Sequence, residues 1–257
     1  MILQDIINII ESVAPLSYQE DWDNSGLQVG DRNAEVHAAL LTVDVTESVV
    51  DETITLGCDL IVSHHPLLFR GLKQITGSTP QERCVLKAIQ HGIAIYSAHT
   101  SMDCWLHGVS GKIADKLGVQ NYRILVESQE NVGLGVIGQL PEPMSVEQLV
   151  AHVAQVFGIT EGLRYVVGKQ DKVQKIAICG GAGADLVEAA IQQGADAYVS
   201  ADFKYHELQA ANGQITVVDM DHWVSEHYTR EIFEELLSGH ITTHVAKTDK
   251  SPVEYWV

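Results

Sequence analysis

Histidine and carboxylate side chains follow four apolar segments of this sequence. The adjacent histidines His64 and His65 come directly after the apolar run at residues 60–63. The residues of the same kinds that follow the other three runs are His99, Asp103, Asp202, Asp219, Asp221, His222 and Glu226. Because α/β proteins place their binding groups at the carboxyl ends of strands, we expect several of these side chains to lie together. Imidazole and carboxylate are ligands of zinc, manganese, iron and similar ions, so the sequence predicts a metal site.

The spacing of His222 and Glu226 suits a shared ligand role. Residues four apart lie on one face of a helix, about one turn from each other. The alternative is an exposed pair on a solvated helix face. His64 and His65 have an alternative as well, since adjacent residues at a strand end point in opposite directions and one could be a packing histidine.

Alternating strands and helices must position these groups. Apolar residues at helical spacing predict a first helix that ends before Pro15, and residues 38–97 then read as a βαβαβ unit. Its predicted elements are strand 38–43, helix 47–56, strand 60–63, helix 82–90 and strand 93–97. A second unit follows the glycine-rich stretch 133–138, and its predicted elements are helix 146–157, strand 175–179, helix 184–192, strands 197–200 and 215–219, and a long last helix 222–237.

A short internal match links the two halves of the chain. Residues 57–63 and 194–200 share the pattern Gly-x-Asp-x-x-Val-Ser. This match favours an internal duplication, with two similar three-layer α/β domains at residues 1–125 and 126–257. The first helix or the last helix is the candidate to pack across the boundary between these two domains. The alternative is that any corner from helix to strand favours these residue types.

Composition limits the classes of partner. Thirty-four acidic residues against sixteen basic ones give a formal net charge of −18, which disfavours binding to nucleic acid or to anionic membranes. Asp5 and Glu11 interrupt the isoleucines near the start of the sequence, so we do not expect a signal peptide there. No apolar run reaches membrane-spanning length. The four cysteines are scattered, which favours reduced thiols and a cytoplasmic location.

Several motifs together give the chain a resemblance to a known family. They are Trp22-Asp23-Asn24-Ser25-Gly26-Leu27, Ser63-His64-His65-Pro66-Leu67, His99-Thr100 with Asp103, Gly180-Gly181-Ala182-Gly183, Ala195-Asp196 with Tyr205-His206, and Asp219 with His222 and Ser225-Glu226. In these the chain resembles, over its whole length, the Nif-three-like proteins, catalogued as GTP cyclohydrolase I type 2 homologues. It departs from them at Asp221, where glycine is usual, at Ser101-Met102, where Asn-Leu is common, and at Ala201, another usual glycine.

The resemblance implies a dinuclear metal centre in a cleft between two similar α/β domains. The implied ligands of the two divalent ions are His64, His65, Asp103, His222 and Glu226. Zinc, manganese, iron, cobalt and nickel all suit this mixed nitrogen and oxygen set. The resemblance also implies a ring-shaped homohexamer.

Five ligands leave two ions with open positions, which predicts a hydrolase of a nucleotide or a related small molecule. The family name implies attack of water on the imidazole ring of guanine in GTP; phosphoester cleavage is another possible reaction. Glu226 is the candidate bridging ligand and base, and His99 and His206 are candidates for acid–base chemistry, with a buried structural role as their alternative. The alternative function is a metal-binding scaffold or regulatory partner without catalysis.

Two glycine-rich segments and two tryptophans have open roles. Residues 133–138 match G-x-G-x-x-G, but Pro141 and Pro143 follow, so we predict a closely packed β segment rather than a dinucleotide site. The amides of residues 180–183 could hold an anion, or the glycines could form a tight packing turn. Trp22 and Trp223 could stack on a base or belong to the core.

Overall fold

The computed structural model describes residues 1–256 and divides the chain into two compact units. The first unit contains residues 1–102 and 229–250, and the second contains residues 103–228 and 251–256. These units differ from the predicted domains, 1–125 and 126–257, because the chain returns to the first unit for its last helix and last strand. The last helix, residues 229–237, belongs to the first unit.

The two units together contain ten α-helices and eleven strands among the described residues. The helices are α1 (Leu3–Glu11), α2 (Glu47–Leu56), α3 (Pro80–Gln90), α4 (Thr100–Asp103), α5 (Val109–Lys116), α6 (Val146–Phe157), α7 (Val187–Gln192), α8 (Tyr205–Ala211), α9 (His222–Glu226) and α10 (Thr229–Leu237). The strands are β1 (Gly26–Val29), β2 (Ala38–Thr42), β3 (Leu60–Ser63), β4 (Ala94–Ser97), β5 (Gln120–Gln129), β6 (Val132–Ser145), β7 (Arg164–Val166), β8 (Lys172–Ala182), β9 (Ala197–Ala201), β10 (Thr216–Met220) and β11 (Thr242–Val245). None of the helices in residues 1–256 combines the length and apolar character needed to cross a bilayer.

The first unit is built on a five-stranded sheet in the order β1-β4-β3-β2-β11. Strands β4, β3, β2 and β11 run parallel, and β1 pairs antiparallel with β4. This arrangement confirms the predicted βαβαβ unit. The neighbours Leu40 and Leu41 are both fully buried, and so are Ile61 and Val62. Because successive side chains of a strand point to opposite faces, both faces of this sheet are covered.

The second unit is built on a six-stranded sheet in the order β5-β6-β8-β9-β10-β7. Only β8, β9 and β10 run parallel, while β5, β6 and β7 add antiparallel pairs. Val217 and Val218 are both fully buried, so this sheet is also covered on both faces. The chain is therefore a mixed α/β protein with two sheets.

The two corners of the internal match have the same local structure. Gly57 and Gly194 end helices in the left-handed conformation, with φ of 68° and 71°. Asp59 then accepts hydrogen bonds from the backbone N–H groups of His37 and Ala38. Asp196 accepts the equivalent pair from Gln174 and Lys175. In both units this aspartate starts the central strand and fixes the beginning of the strand beside it. The shared bonding favours the predicted duplication, which stays a prediction.

The predicted long last helix, 222–237, is wrong in one respect, because it is broken into α9 and α10. The ring of His227 donates from Nδ1 to the carbonyl oxygen of Val224 at 2.9 Å. A continuous helix would use that carbonyl for the backbone N–H of Tyr228, so the side chain competes with the helix at this point.

The G-x-G-x-x-G segment lies inside β6, as the β interpretation predicted. A Cβ atom on Gly133 would lie 2.0 Å from the carbonyl oxygen of Val126, and one on Gly138 would lie 2.7 Å from Val119. These glycines let β6 pack closely against its neighbours.

Candidate metal centre

Three histidines of the first unit form a cluster at the carboxyl ends of β3 and β4. The rings of His64 and His65 are 5.0 Å apart between centroids, and that of His99 lies 5.3 Å and 5.4 Å from them. One ring nitrogen from each histidine lies within 4.8 Å of those of the other two. The predicted alternative, in which His64 and His65 point in opposite directions, is therefore wrong.

Each of these histidines is held at Nδ1 by an oxygen. His64 donates to the carbonyl of Ala98 at 3.0 Å, and His65 donates to Oδ1 of Asp44 at 2.9 Å. Because these oxygens accept, Nδ1 of each ring carries a hydrogen, and the contact fixes the orientation of the ring. Asp44 follows the end of β2, so it belongs to the same edge of the sheet as the histidines.

His99 is held by the buried carboxylate of Asp23, whose Oδ1 lies 2.8 Å from Nδ1. The hydroxyl and the backbone N–H of Thr100 also donate to Asp23. Burial opposes ionisation of this carboxyl, but the hydrogen bonds from His99 and Thr100 outweigh it, and the pKa of Asp23 lies well below its ordinary value. Asp23 is therefore an anion that fixes the orientation of the His99 ring.

In the second unit, α9 brings His222 and Glu226 together as the spacing predicted. Nε2 of His222 lies 3.0 Å from Oε2 of Glu226, and its Nδ1 lies 2.8 Å from Oδ2 of Asp202. Burial lowers the pKa of His222, but the two carboxylates outweigh it and raise the pKa to about 9. The alternative of an exposed surface pair is wrong, because Glu226 is buried.

Asp221 caps the helix that carries these two groups. Its Oδ1 accepts from the backbone N–H of Val224 at 3.1 Å, and its Oδ2 accepts from the hydroxyl of Ser251. Glycine is also an acceptable residue at a helix N-cap. Asp221 and the glycine that is usual at this position in similar proteins are therefore both residue types that can cap the start of this helix.

The glycine-rich turn after β8 makes room for the carboxylate. Gly181 has a φ of +64°, and a Cβ atom there would lie 2.1 Å from Oε1 of Glu226. The backbone N–H groups of Gly180 and Gly181 donate to the hydroxyls of Ser110 and Ser225. These two amides are therefore used within the fold, which favours the packing turn over an anion site.

Asp103 and Glu226 both act on the thiol of Cys179. Burial, together with the negative charges of Asp103 and Glu226, raises the pKa of Cys179 to about 12. Two carboxylates thus contribute negative charge near one buried thiol in the second unit. Such a concentration of negative charge suits a divalent cation.

The donor groups of both units fit divalent metal ions. His64, His65, His99 and His222 all have Nδ1 held by an oxygen, so Nε2 is the ring atom that each could offer to a metal ion; in this structure Nε2 of His222 is paired with Glu226. This second contact is typical of metal-binding histidines, where it fixes the tautomer and the ring orientation. Glu226 and Asp103 add the carboxylate oxygens.

The structure also shows the surroundings of His206, the remaining histidine predicted from the sequence for acid–base chemistry. His206 is exposed on α8 and contacts Gln209 at 3.3 Å, so a buried structural role is wrong, and its part in acid–base chemistry stays a prediction. Sequence reasoning missed Asp44 as the partner of His65. Its position directly after a strand of the parallel sheet was the signal that could have found it.

Comparisons with known proteins identify the family of the chain. The family model described as Duf34/NIF3 (NGG1p interacting factor 3) matches residues 1–252. A protein of Clostridium acetobutylicum named GTP cyclohydrolase 1 type 2 homolog is 34% identical over 241 residues, which are 92% of this chain and 90% of that protein. One of the same name from Clostridium perfringens is 34% identical over 262 residues, which are 99% of this chain and 100% of that protein. The crystal structure of a Bacillus cereus protein related to NIF3 has a TM-score of 0.90 at 26% identity, covering 100% of this chain and 99% of that one.

Proposed function

The chain belongs to the Duf34/NIF3 family, and from this premise we propose that it is a metal-dependent hydrolase of a nucleotide or a related small molecule. The proposal includes two divalent metal ions per chain. Their proposed ligands are His64, His65, Asp103, His222 and Glu226. The observation that carries it is the shared bonding of the histidines, each held at Nδ1 by an oxygen, which is the contact typical of histidines that bind metal through Nε2.

Bound divalent ions would supply Lewis acidity and lower the pKa of water. The side chains of this protein do the positioning. Asp44 and the carbonyl of Ala98 orient His65 and His64, and Asp202 orients His222. Glu226 is paired with His222, and a bound cation would take the place of the proton that His222 shares with this carboxylate. We propose Glu226 as the bridging ligand and base, and His99 as a second group that can accept a proton at the ring nitrogen that Asp23 does not occupy.

The names of the similar proteins suggest GTP as the first substrate to test. Hydrolysis of the imidazole ring of guanine consumes one water to give a formamido pyrimidine nucleotide, and a second water releases formate. Neither step needs an oxidant or a reductant. The reaction therefore requires only what a metal hydrolase supplies: activated water and a group that donates a proton to the leaving nitrogen.

The test is turnover of GTP by protein reconstituted separately with zinc, manganese and iron, with products separated by liquid chromatography. We expect a ring-opened product with wild-type protein and a loss of roughly 100-fold or more with Glu226→Gln. His240→Asn, which changes an exposed histidine of the first unit, is the matched control and retains the wild-type rate. Full metal loading without turnover of GTP or of any phosphoester in the same assay would contradict the hydrolase and favour a metal-binding scaffold.

We also propose the homohexamer that the family resemblance implies. Light scattering coupled to size-exclusion chromatography measures the molar mass directly. A mass of six chains supports the proposal, and a mass of one chain contradicts it.

A further inference from the structure

Two exposed aromatic side chains lie beside the histidine cluster of the first unit. Trp22 is 58% exposed and Phe69 is 45% exposed. Their ring centroids are 5.9 Å apart, and His99 lies 5.9 Å from Trp22 and 6.3 Å from Phe69. Large exposed aromatic groups held next to polar, chemically capable side chains are typical of binding sites.

The three rings form an open wedge. The planes of Trp22 and Phe69 are tilted by 50°, so neither ring covers the face of the other. The ring of His99 is nearly perpendicular to both, at 73° and 75°. Aromatic faces that are not stacked within the protein are available to stack on a flat ligand.

The segments that carry the wedge are fixed by hydrogen bonds. Asn24, two residues after Trp22, donates from Nδ2 to the carbonyl of Leu68 at 2.6 Å. The backbone N–H of Leu68, directly before Phe69, donates to Oε1 of Gln28 at 3.1 Å. Asp23 lies next to Trp22 and also holds Nδ1 of His99. These bonds tie the two aromatic residues and the histidine to one another before any ligand arrives, which lowers the entropy cost of binding.

We propose that Trp22, Phe69 and His99 form the binding subsite for a planar nitrogen heterocycle that carries a ring N–H or amino group. The heterocycle stacks on the aromatic faces, while the edge of His99 meets its polar rim. Because Asp23 occupies Nδ1 of His99, the remaining ring nitrogen accepts a hydrogen bond from the ligand. This inference rests on the proposed function, for which it names the recognised part of the substrate.

Trp223 does not form such a subsite. Its ring is stacked on His227 with centroids 4.8 Å apart and planes only 11° from parallel. One face of Trp223 is therefore used within the second unit, whereas Trp22 is exposed.

The test measures binding of guanosine, adenosine and uridine by saturation-transfer NMR and calorimetry, with ribose 5-phosphate as the ligand that lacks a base. We expect at least one nucleoside to bind wild-type protein. Trp22→Ala should weaken that binding roughly tenfold or more, whereas Trp22→Phe should restore most of it. Phe69→Leu should also weaken it. Trp256→Ala, which removes a fully exposed tryptophan, is the control and should bind as wild type does.

Three results would overturn the subsite. They are no nucleoside binding by wild-type protein, equal binding by wild type and Trp22→Ala, and a changed oligomer mass in Trp22→Ala, which would make the wedge a contact between copies of the chain. Metal content of the same samples separates this inference from the proposed function. Trp22→Ala should contain as much metal as wild type. Wild-type protein without metal would contradict the metal centre, and nucleoside binding would still decide whether the subsite exists.

Discussion

Gly181 links the backbone to the carboxylate of Glu226 at the scale of single residues. In Gly181→Ala the new methyl carbon would lie only 2.1 Å from Oε1 of Glu226, so the carboxylate would have to move. We expect the variant to fold but to lose most of its bound metal, as measured by elemental mass spectrometry.

Gly158→Ala is the matched control for this change. Gly158 has nearly the same φ, +66°, but a Cβ atom there meets nothing within 4 Å. Both variants should lose roughly 1–2 kcal/mol of stability from the left-handed conformation. Equal metal content in the two variants would show that the position of Glu226 does not depend on Gly181.

Asp44 offers a second test at residue scale, because it acts on metal only through His65. Asp44→Ala removes the oxygen that holds Nδ1 of His65. Loss of such a partner typically lowers metal affinity by roughly 10–100-fold. Competition with a chromogenic chelator measures this affinity. Asp51→Ala, at an exposed aspartate of α2, is the control; an affinity for Asp44→Ala equal to that of the control would contradict the role of Asp44.

The residue types were enough to predict which side chains meet within each unit. His64 with His65, and His222 with Glu226, follow from strand ends and from helical spacing. The partners at Nδ1 were harder to predict, because Asp44 comes 21 residues before His65 in the chain and only the parallel pairing of β2 with β3 brings them together.

At the scale of elements, Asp221 determines how well α9 is capped. Asp221→Ala removes the acceptor for the backbone N–H of Val224 and should lower the free energy of unfolding by about 1 kcal/mol. Asp221→Gly should cost less than Asp221→Ala, since glycine is a tolerated N-cap. Urea denaturation measures both. Equal stability of Asp221→Ala and wild type would show that the cap contributes nothing.

Glu82 stabilises the beginning of α3 in a way that depends on pH. The backbone N–H and hydroxyl of Thr76 and the backbone N–H of Ser78 donate to it, and they lower the pKa of Glu82 to about 2. A lowered pKa gives stability that is present above the unfolded-state value, about 4.3, and is lost as the pH falls toward 2.

Glu82→Gln should therefore be less stable than wild type at pH 7, and the difference should shrink between pH 5 and pH 2. Urea denaturation at pH 7, 5 and 3 measures the difference. Glu127→Gln, at an exposed position of β5, controls for the general loss of one negative charge. A difference that does not change with pH would contradict the ionised role of Glu82.

Regular elements with strong apolar patterns were predictable, whereas those with weak ones were missed. The predicted bounds of α2, β3 and α6 agree with the structure to the residue. Strand β5 escaped prediction because it is an edge strand with mostly exposed side chains, so it lacks a buried pattern. The predicted last helix also failed, because the competition of the His227 ring for a backbone carbonyl cannot be read from periodicity.

At the scale of the whole molecule, the sequence predicted two α/β units but not how the chain is shared between them. Strand β11 pairs in parallel with β2, which precedes it by about 200 residues, and this pairing helps to return residues 229–250 to the first unit. The four-residue strand has little apolar character, so its partner was set by tertiary pairing rather than by local pattern.

The most direct test of the central claim is the metal content per chain, measured by elemental mass spectrometry on wild type and Glu226→Gln purified side by side. We expect two divalent ions per wild-type chain and one or none in Glu226→Gln, because the variant keeps the size of the side chain but loses its charge. Wild-type protein that binds no divalent ion after reconstitution, or a variant with undiminished metal content, would contradict it.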